Sequence, residues 1–372
     1  MKQNNTIEVF SILVRAGLFG RTESADSLWA DDVDWAEVFQ LAREQSVVGL
    51  VTEGIETLQG EHSVPLVPKK WVMQFISITM RLEKRNLAMN KFVAKLVLKL
   101  RKHGINTLLL KGQEVAQSYE KPLWRACGDV DLLLSKEDYQ KTKDFLLPLA
   151  SHSEPEHEYK KHFGMIIDKW VVELHGSLHC GFSSRIDREL DKLYDDTFSG
   201  GNLRTWMNEE VQVFVLGQEN DVLYVFTHLL NHFFKGGVGI RQVCDWCRLL
   251  WSFRNSLDLS YIESRLKAMG LMSEWRAFGM YAVKYLGMPE EAMPFFSDSE
   301  KWKRKAIQIH AFILETGNMG RNRKEERKVS FMKRKVKSSW QRTCDLSYIF
   351  HIFPLDILRF FPSILLNGLR QK

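Results

Sequence analysis

The chain is short of cysteine, has no long apolar run, and shows no excess of one charge spread along its whole length. Each shortage excludes something. Five cysteines (Cys127, Cys180, Cys244, Cys247, Cys344) in 372 residues imply no disulfide framework, and a reducing compartment suits them. No stretch reaches the roughly 18 uninterrupted apolar residues of a membrane span. The nearest, LSYIFHIFPLDILRFFPSILLNGL, is broken by Asp356, Arg359 and two prolines. Glu8 and Arg15 interrupt the N-terminal MKQNNTIEVFSILVRAGLFG, so it lacks the apolar centre of a signal peptide. A cytoplasmic protein that does not span a membrane is expected.

What is present is a globular balance, 45% apolar and 26% charged residues, which argues against a mainly disordered or fibrous chain. The length suggests two or three domains, or one core with helical additions. The formal charge of +6 hides a split. Residues 301–342 hold fourteen Lys/Arg and three Glu, a net +11 that leaves −5 for the rest. An acidic body with one basic segment does not fit a protein that coats nucleic acid over its whole surface.

Residues 5–103 read as helices. Apolar residues near helical spacing run from Trp35 to Leu58 with Asp34 as N-cap, and a longer stretch from about Lys69 to His103 closes at Gly104. The period then changes. Ile105–Leu110 and Asp129–Leu134 read as buried strands, and Gln113–Tyr119 and Lys136–Leu147 as short helices, the second opened by Ser135. Phe163–Ile167 and Trp170–His175, separated only by Asp168-Lys169, read as a hairpin. From Asp221 the helical pattern returns and continues to about Glu315, and no repeat of fixed period interrupts it. The expected class is α+β: an N-terminal helical region (1–104), a small mixed-sheet unit (105–200), a helical domain (201–320), and a basic segment with apolar C-terminal helices (321–372).

The chemistry concentrates in Gly128-Asp129-Val130-Asp131-Leu132-Leu133-Leu134. A strand alternates faces, so Asp129 and Asp131 point one way and Val130, Leu132 and Leu134 the other. A solvated edge strand would show the same triplet. The Leu run, however, implies a strand end buried on both faces, and Gly128 lets the backbone approach a ligand. Two carboxylates so close repel unless a cation lies between them, and Mg²⁺ suits oxygen ligands. Glu173, on a strand face with Val171 and His175, needs a partner as well: a Lys or Arg, or the same metal.

The order Leu110-Lys111-Gly112, then Arg125-x-x-Gly128-Asp129-Val130-Asp131, then Glu173-Leu174-His175 resembles the nucleotidyltransferase superfamily typified by DNA polymerase beta. Within it, the closest resemblance is to the bacterial branch of uncharacterised nucleotidyltransferases. The resemblance implies a palm-like unit flanked by helical regions, with Asp129, Asp131 and Glu173 as metal-binding and catalytic acids for two Mg²⁺ ions, Mn²⁺ being the alternative. Gly112 would stand where relatives have a Gly-Ser turn holding the triphosphate, with Lys111, Arg125 and Gly128 beside the phosphates. Here Lys111-Gly112 replaces Gly-Ser, and the gap to Asp129 is longer than in most relatives. For Lys111 a solvated strand end, and for Arg125 a loop-steadying salt bridge, remain open beside the phosphate role. The implied reaction moves a nucleoside monophosphate from an NTP to an unknown acceptor hydroxyl or amine. The alternative is a catalytically inactive nucleotide-binding, RNA or membrane-surface interaction protein with the same fold.

Cys244-Asp245-Trp246-Cys247 lies within a helical pattern and reads as core rather than as a redox dithiol. His228 and His232 share a helix face without the acid of a zinc-protease helix. They read as helix-contact residues on a face that, with Arg241, borders the cleft. The basic stretch 321–342, with ten Lys/Arg and two Glu, leaves three readings open: a solvated linker, an RNA patch, or attachment to an anionic membrane surface.

Overall fold

The computed structural model describes residues 2–21, 33–61, 67–181, 183–235, 237–318 and 343–360. The basic stretch 321–342 lies outside the described residues. Helices α1 (Lys2–Phe19), α2 (Trp35–Glu44), α3 (Val48–Glu61) and α4 (Lys69–Lys102) form the N-terminal region. Asp34 caps α2 as expected, its side chain accepting from Ala36 N and Glu37 N. The one helical stretch expected from Trp35 to Leu58 is instead two helices. Ser46 takes a φ of 57° between them, and Gln45 is held elsewhere: its Nε2 donates to Ile313 O (3.1 Å) and its Oε1 accepts from Ile240 N (2.8 Å).

Helices α1 and α3 touch backbone to backbone through Gly17 and Gly54. A Cβ on Gly54 would run into the Leu13 carbonyl, and one on Gly17 into the Leu50 carbonyl. Gly54→Ala is therefore expected to cost about 1–3 kcal/mol, as overpacking does. The urea midpoint measures it, and an unchanged midpoint would mean the two helices separate freely.

Seven strands follow: β1 (Thr107–Leu110), β2 (Asp129–Leu134), β3 (Ala150–Ser153), β4 (His162–Ile167), β5 (Trp170–His175), β6 (Leu203–Asn208) and β7 (Val211–Leu216). They form one mixed sheet in the order β3-β4-β5-β2-β1-β7-β6. The β4–β5 hairpin turns at Asp168, with φ 55°, and Ile167 pairs with Trp170. The sheet unit expected to end at residue 200 extends to Leu216, because β7 adds parallel to β1 and β6 pairs antiparallel with β7. Short helices α5 (Gly112–Ala116) and α6 (Lys136–Leu146) lie between strands, and α7 (Ser184–Phe198) precedes β6. Helices α8 (Gln218–Phe234), α9 (Ile240–Phe253), α10 (Leu259–Met269), α11 (Met272–Leu286) and α12 (Glu300–Thr316) complete the helical layer, with helical residues at 343–352 and 354–360. Among the described residues no helix is long and apolar enough to cross a membrane.

Strand alternation divides the interior. Leu109, Val130, Leu132, Leu134, Val172 and Leu174 pack with Met89, Val93, Val97 and Leu100 of α4. Leu108, Leu110 and Leu133 face the other way and join the core built on α1, α8, α9 and α11. Asp129 and Asp131 share the face of Leu133. The acids therefore point toward the helical layer, where it leaves a cleft.

Candidate active site

The site begins with register. β2 pairs parallel with β5, and Asp131 is the direct partner of Glu173, so the two strands present both acids on one face. On the other side β1 runs antiparallel and Leu110 faces Asp131, which brings the next residue, Lys111, over the end of β2. Lys111 has φ 50° and ψ −146°, a conformation that L-residues rarely adopt. Its Nζ lies 2.9 Å from Asp131 Oδ1. Gly112 follows with φ 48°, and a Cβ there would stand 3.5 Å from the Asp129 carbonyl. The helix that this turn opens is only five residues long.

The expected cation beside the carboxylates is thus partly supplied by the protein. Asp131 is 1% exposed. Burial alone would raise its carboxyl, but Lys111 and His175 outweigh that and hold it well below the ordinary range. Burial likewise opposes the charge on Lys111, yet Asp131, Tyr224, Asp129 and Glu173 raise its ammonium above the ordinary range. Asp129 differs. Among the described residues nothing makes a hydrogen bond or ion pair to its carboxylate, and Asp131 together with burial pushes it up. An unpaired carboxylate oxygen set beside a second carboxylate fits a hard divalent cation.

Two histidines join the acids. His175 Nε2 lies 2.8 Å from Asp131 Oδ1 and 3.7 Å from Glu173 Oε2, and His162 Nε2 lies 3.0 Å from Glu173 Oε2. His162 is the cross-strand partner of His175 in the β4–β5 hairpin. Burial lowers His175 below its ordinary value. His162, Glu173 and His175 open on a cleft of about 260 Å³, lined also by Lys111, Lys160, Tyr224, His228 and Asn231.

A second cavity of about 60 Å³ lies on the other side of Lys111, lined by Gly112, Asp129, Asp131, His228, His232 and Arg241. The expected helix pair borders this space. His228 and His232 meet Nε2 to Nε2 at 3.0 Å, so one ring donates and the other accepts. Burial, with Lys111 adding to it, lowers both, His232 to about 4. Arg241 donates from Nη1 to Ala126 O (2.6 Å), while its buried Nε has no partner among the described residues.

Arg125 lines the same small cavity as Asp129 and Asp131, with its guanidinium bonded on three sides. Nε and Nη2 hold the two Asp245 oxygens at 2.7 and 2.6 Å, and Nη1 donates to Gly112 O at 2.9 Å. With the fork committed to α9 and the Gly112 turn, the loop-steadying salt bridge is the arrangement found. Tyr119 Oη donates to the same Asp245 (2.8 Å). The thiols of Cys244 and Cys247 are buried, and burial raises both above their ordinary value, the opposite of a reactive dithiol. Sequence reasoning passed over His162, Tyr224 and the site role of His175. Only His175 carried a signal, its shared strand face with Glu173.

The mixed sheet with acids on two parallel neighbours and helices on its flanks is the architecture expected of the palm-like unit. Residues 31–287 match the family described as "Uncharacterised nucleotidyltransferase", and the chain belongs to that family. The family's description supports a general nucleotidyltransferase role and names neither nucleotide nor acceptor. No curated protein matches the chain.

Proposed function

We infer that the chain is a Mg²⁺-dependent nucleotidyltransferase that moves a nucleoside monophosphate from an NTP to an acceptor hydroxyl or amine and releases pyrophosphate. One observation carries this reading: the unpaired Asp129 carboxylate beside Asp131, itself in register with Glu173, at the cleft wall. Asp129 and Asp131 would hold Mg²⁺, with Glu173 as the third acid. When bound, the ions would supply Lewis-acid charge to the phosphates and favour ionisation of the acceptor.

The chain's own residues do the rest. Lys111 keeps its charge despite burial and stands between the two cavities, so it can pass from Asp131 to a phosphate oxygen when a nucleotide enters. Arg241, with an unpartnered Nε on the same wall as Asp129, offers the second cation, the role expected of Arg125. The Gly112 turn, fixed by Arg125 through its carbonyl, lets the backbone come close. Gly128 remains the point of backbone approach before Asp129.

A second reading, a nucleotide-binding protein without turnover, is favoured by the Lys111–Asp131 ion pair, which already neutralises one of the acids. Thermal unfolding with each of the four NTPs, with and without Mg²⁺, tests binding. Stabilisation that requires the metal is expected, and Arg241→Ala should weaken nucleotide affinity about tenfold, the loss of one charge-assisted contact. Equal stabilisation without metal would contradict the Mg²⁺ reading.

A further inference from the structure

We propose that His162, Glu173 and His175 form a binding site for a borderline divalent transition ion such as Co²⁺ or Zn²⁺, chemically distinct from the oxygen site at Asp129 and Asp131. The proposal goes beyond nucleotidyl transfer and does not depend on it. The two sites would share Glu173, the third acid of the proposed Mg²⁺ site, whose Oε2 faces the histidines.

The geometry comes from the hairpin. His162 and His175 are direct partners across β4 and β5, so they share a face, and Glu173 lies two residues before His175 on that same face. The residue opposite Glu173 is Gly164, over which the Glu154 carboxylate lies, 3.4 Å from where a Cβ would stand. A register slip of one residue would turn the set away, so the pairing that builds the sheet also builds the cluster. Glu173 Oε2 lies 3.0 Å from His162 Nε2 and 3.7 Å from His175 Nε2, and the three ligand atoms all lie within 4.8 Å of one another. The imidazole planes are tilted by 56° with centroids 4.9 Å apart, which lets their nitrogens converge without stacking.

A transition ion holds imidazole nitrogen at about 2.0–2.1 Å and carboxylate oxygen at about 2.0–2.2 Å. Its ligand atoms then stand roughly 3–3.5 Å apart, so small side-chain movements close the set. Two imidazoles and one carboxylate select such ions, whereas Mg²⁺ takes oxygen and water. Three protein ligands also leave coordination positions open, and these face the cleft of about 260 Å³. Asn231, on the wall of that cleft, also carries a buried amide oxygen with no partner among the described residues. In the metal-free arrangement His175 Nε2 bonds Asp131 Oδ1 at 2.8 Å. Ion binding replaces that bond and leaves Asp131 to Lys111.

Titration of the metal-stripped full chain with Co²⁺ tests the proposal, read by calorimetry and by visible d–d absorption. One Co²⁺ per chain is expected, with absorption that excess Mg²⁺ does not remove. His162→Gln and His175→Gln should each weaken binding at least tenfold, with unchanged far-ultraviolet circular dichroism as the check on folding. Asp129→Asn should leave Co²⁺ affinity as it is. Two results would overturn the proposal: Co²⁺ binding unaffected in both histidine variants, or displacement by Mg²⁺. Each leaves Mg²⁺-dependent nucleotide binding untouched, so the two readings fail separately.

Discussion

Asp129→Asn is expected to lower nucleotidyl transfer by about 10³-fold, roughly 4 kcal/mol of transition-state stabilisation, while making the metal-free protein more stable. The two effects have one cause. Asp131 and burial push the Asp129 carboxyl above its ordinary value of 3.8, so the folded chain is destabilised when that group ionises. The penalty is absent below the unfolded value and fully present above the raised folded value. The substitution should therefore raise the thermal midpoint of the metal-free chain near pH 7 and change little in acid. Removing the charge also removes the group that awaits the cation. Asp131→Asn should behave differently, because it leaves the buried Lys111 ammonium without its 2.9 Å partner and lowers stability along with activity. Comparing the two melting curves separates a vacant ligand from an internal ion pair. A fall in midpoint for Asp129→Asn would contradict this account of the site's charge.

Arg125→Ala and Asp245→Ala should each cost about 3–5 kcal/mol, measured by urea unfolding, because each strands a buried charge. Both partners are nearly inaccessible, and the pair joins the loop before β2 to α9 in a two-pronged contact. Asp245 also loses or keeps the Tyr119 hydroxyl, and Arg125 holds the Gly112 carbonyl, so the damage should reach the phosphate turn. Arg125→Lys should not rescue, since an ammonium cannot serve both Asp245 oxygens in the plane of a fork. Replacing both residues by Ala should cost clearly less than the sum of the single changes, because neither charge is then stranded. Additive losses would mean the two side chains act independently.

These two sites also mark where the sequence could and could not be read. The acids were legible because strand alternation is local: Asp129 and Asp131 declare their shared face within three residues, and Glu173 and His175 do the same. That Glu173 stands directly beside Asp131 depends on β5 pairing with β2, and no residue near either strand announces it. His162 joins the cluster only through the hairpin register set by the Asp168-Lys169 turn. Arg125 and Asp245 are 120 residues apart, and either could have found another partner. The alternation of Val211, Val213 and Val215 was there to be read as a strand, and the expected boundary at residue 200 passed it by. The Trp35–Leu58 helix broke because Gln45 is used by distant backbone groups, Ile313 O and Ile240 N, which local periodicity cannot register.

Transfer of label tests the central claim most directly. The full chain with Mg²⁺ and cell extract is supplied with each of the four NTPs, labelled at either the α- or the γ-phosphorus. The account predicts that α-label enters an acid-stable product with the wild-type chain and not with Asp129→Asn, while γ-label leaves as pyrophosphate. Absence of α-label transfer from all four nucleotides, or entry of γ-label into the product, would contradict it.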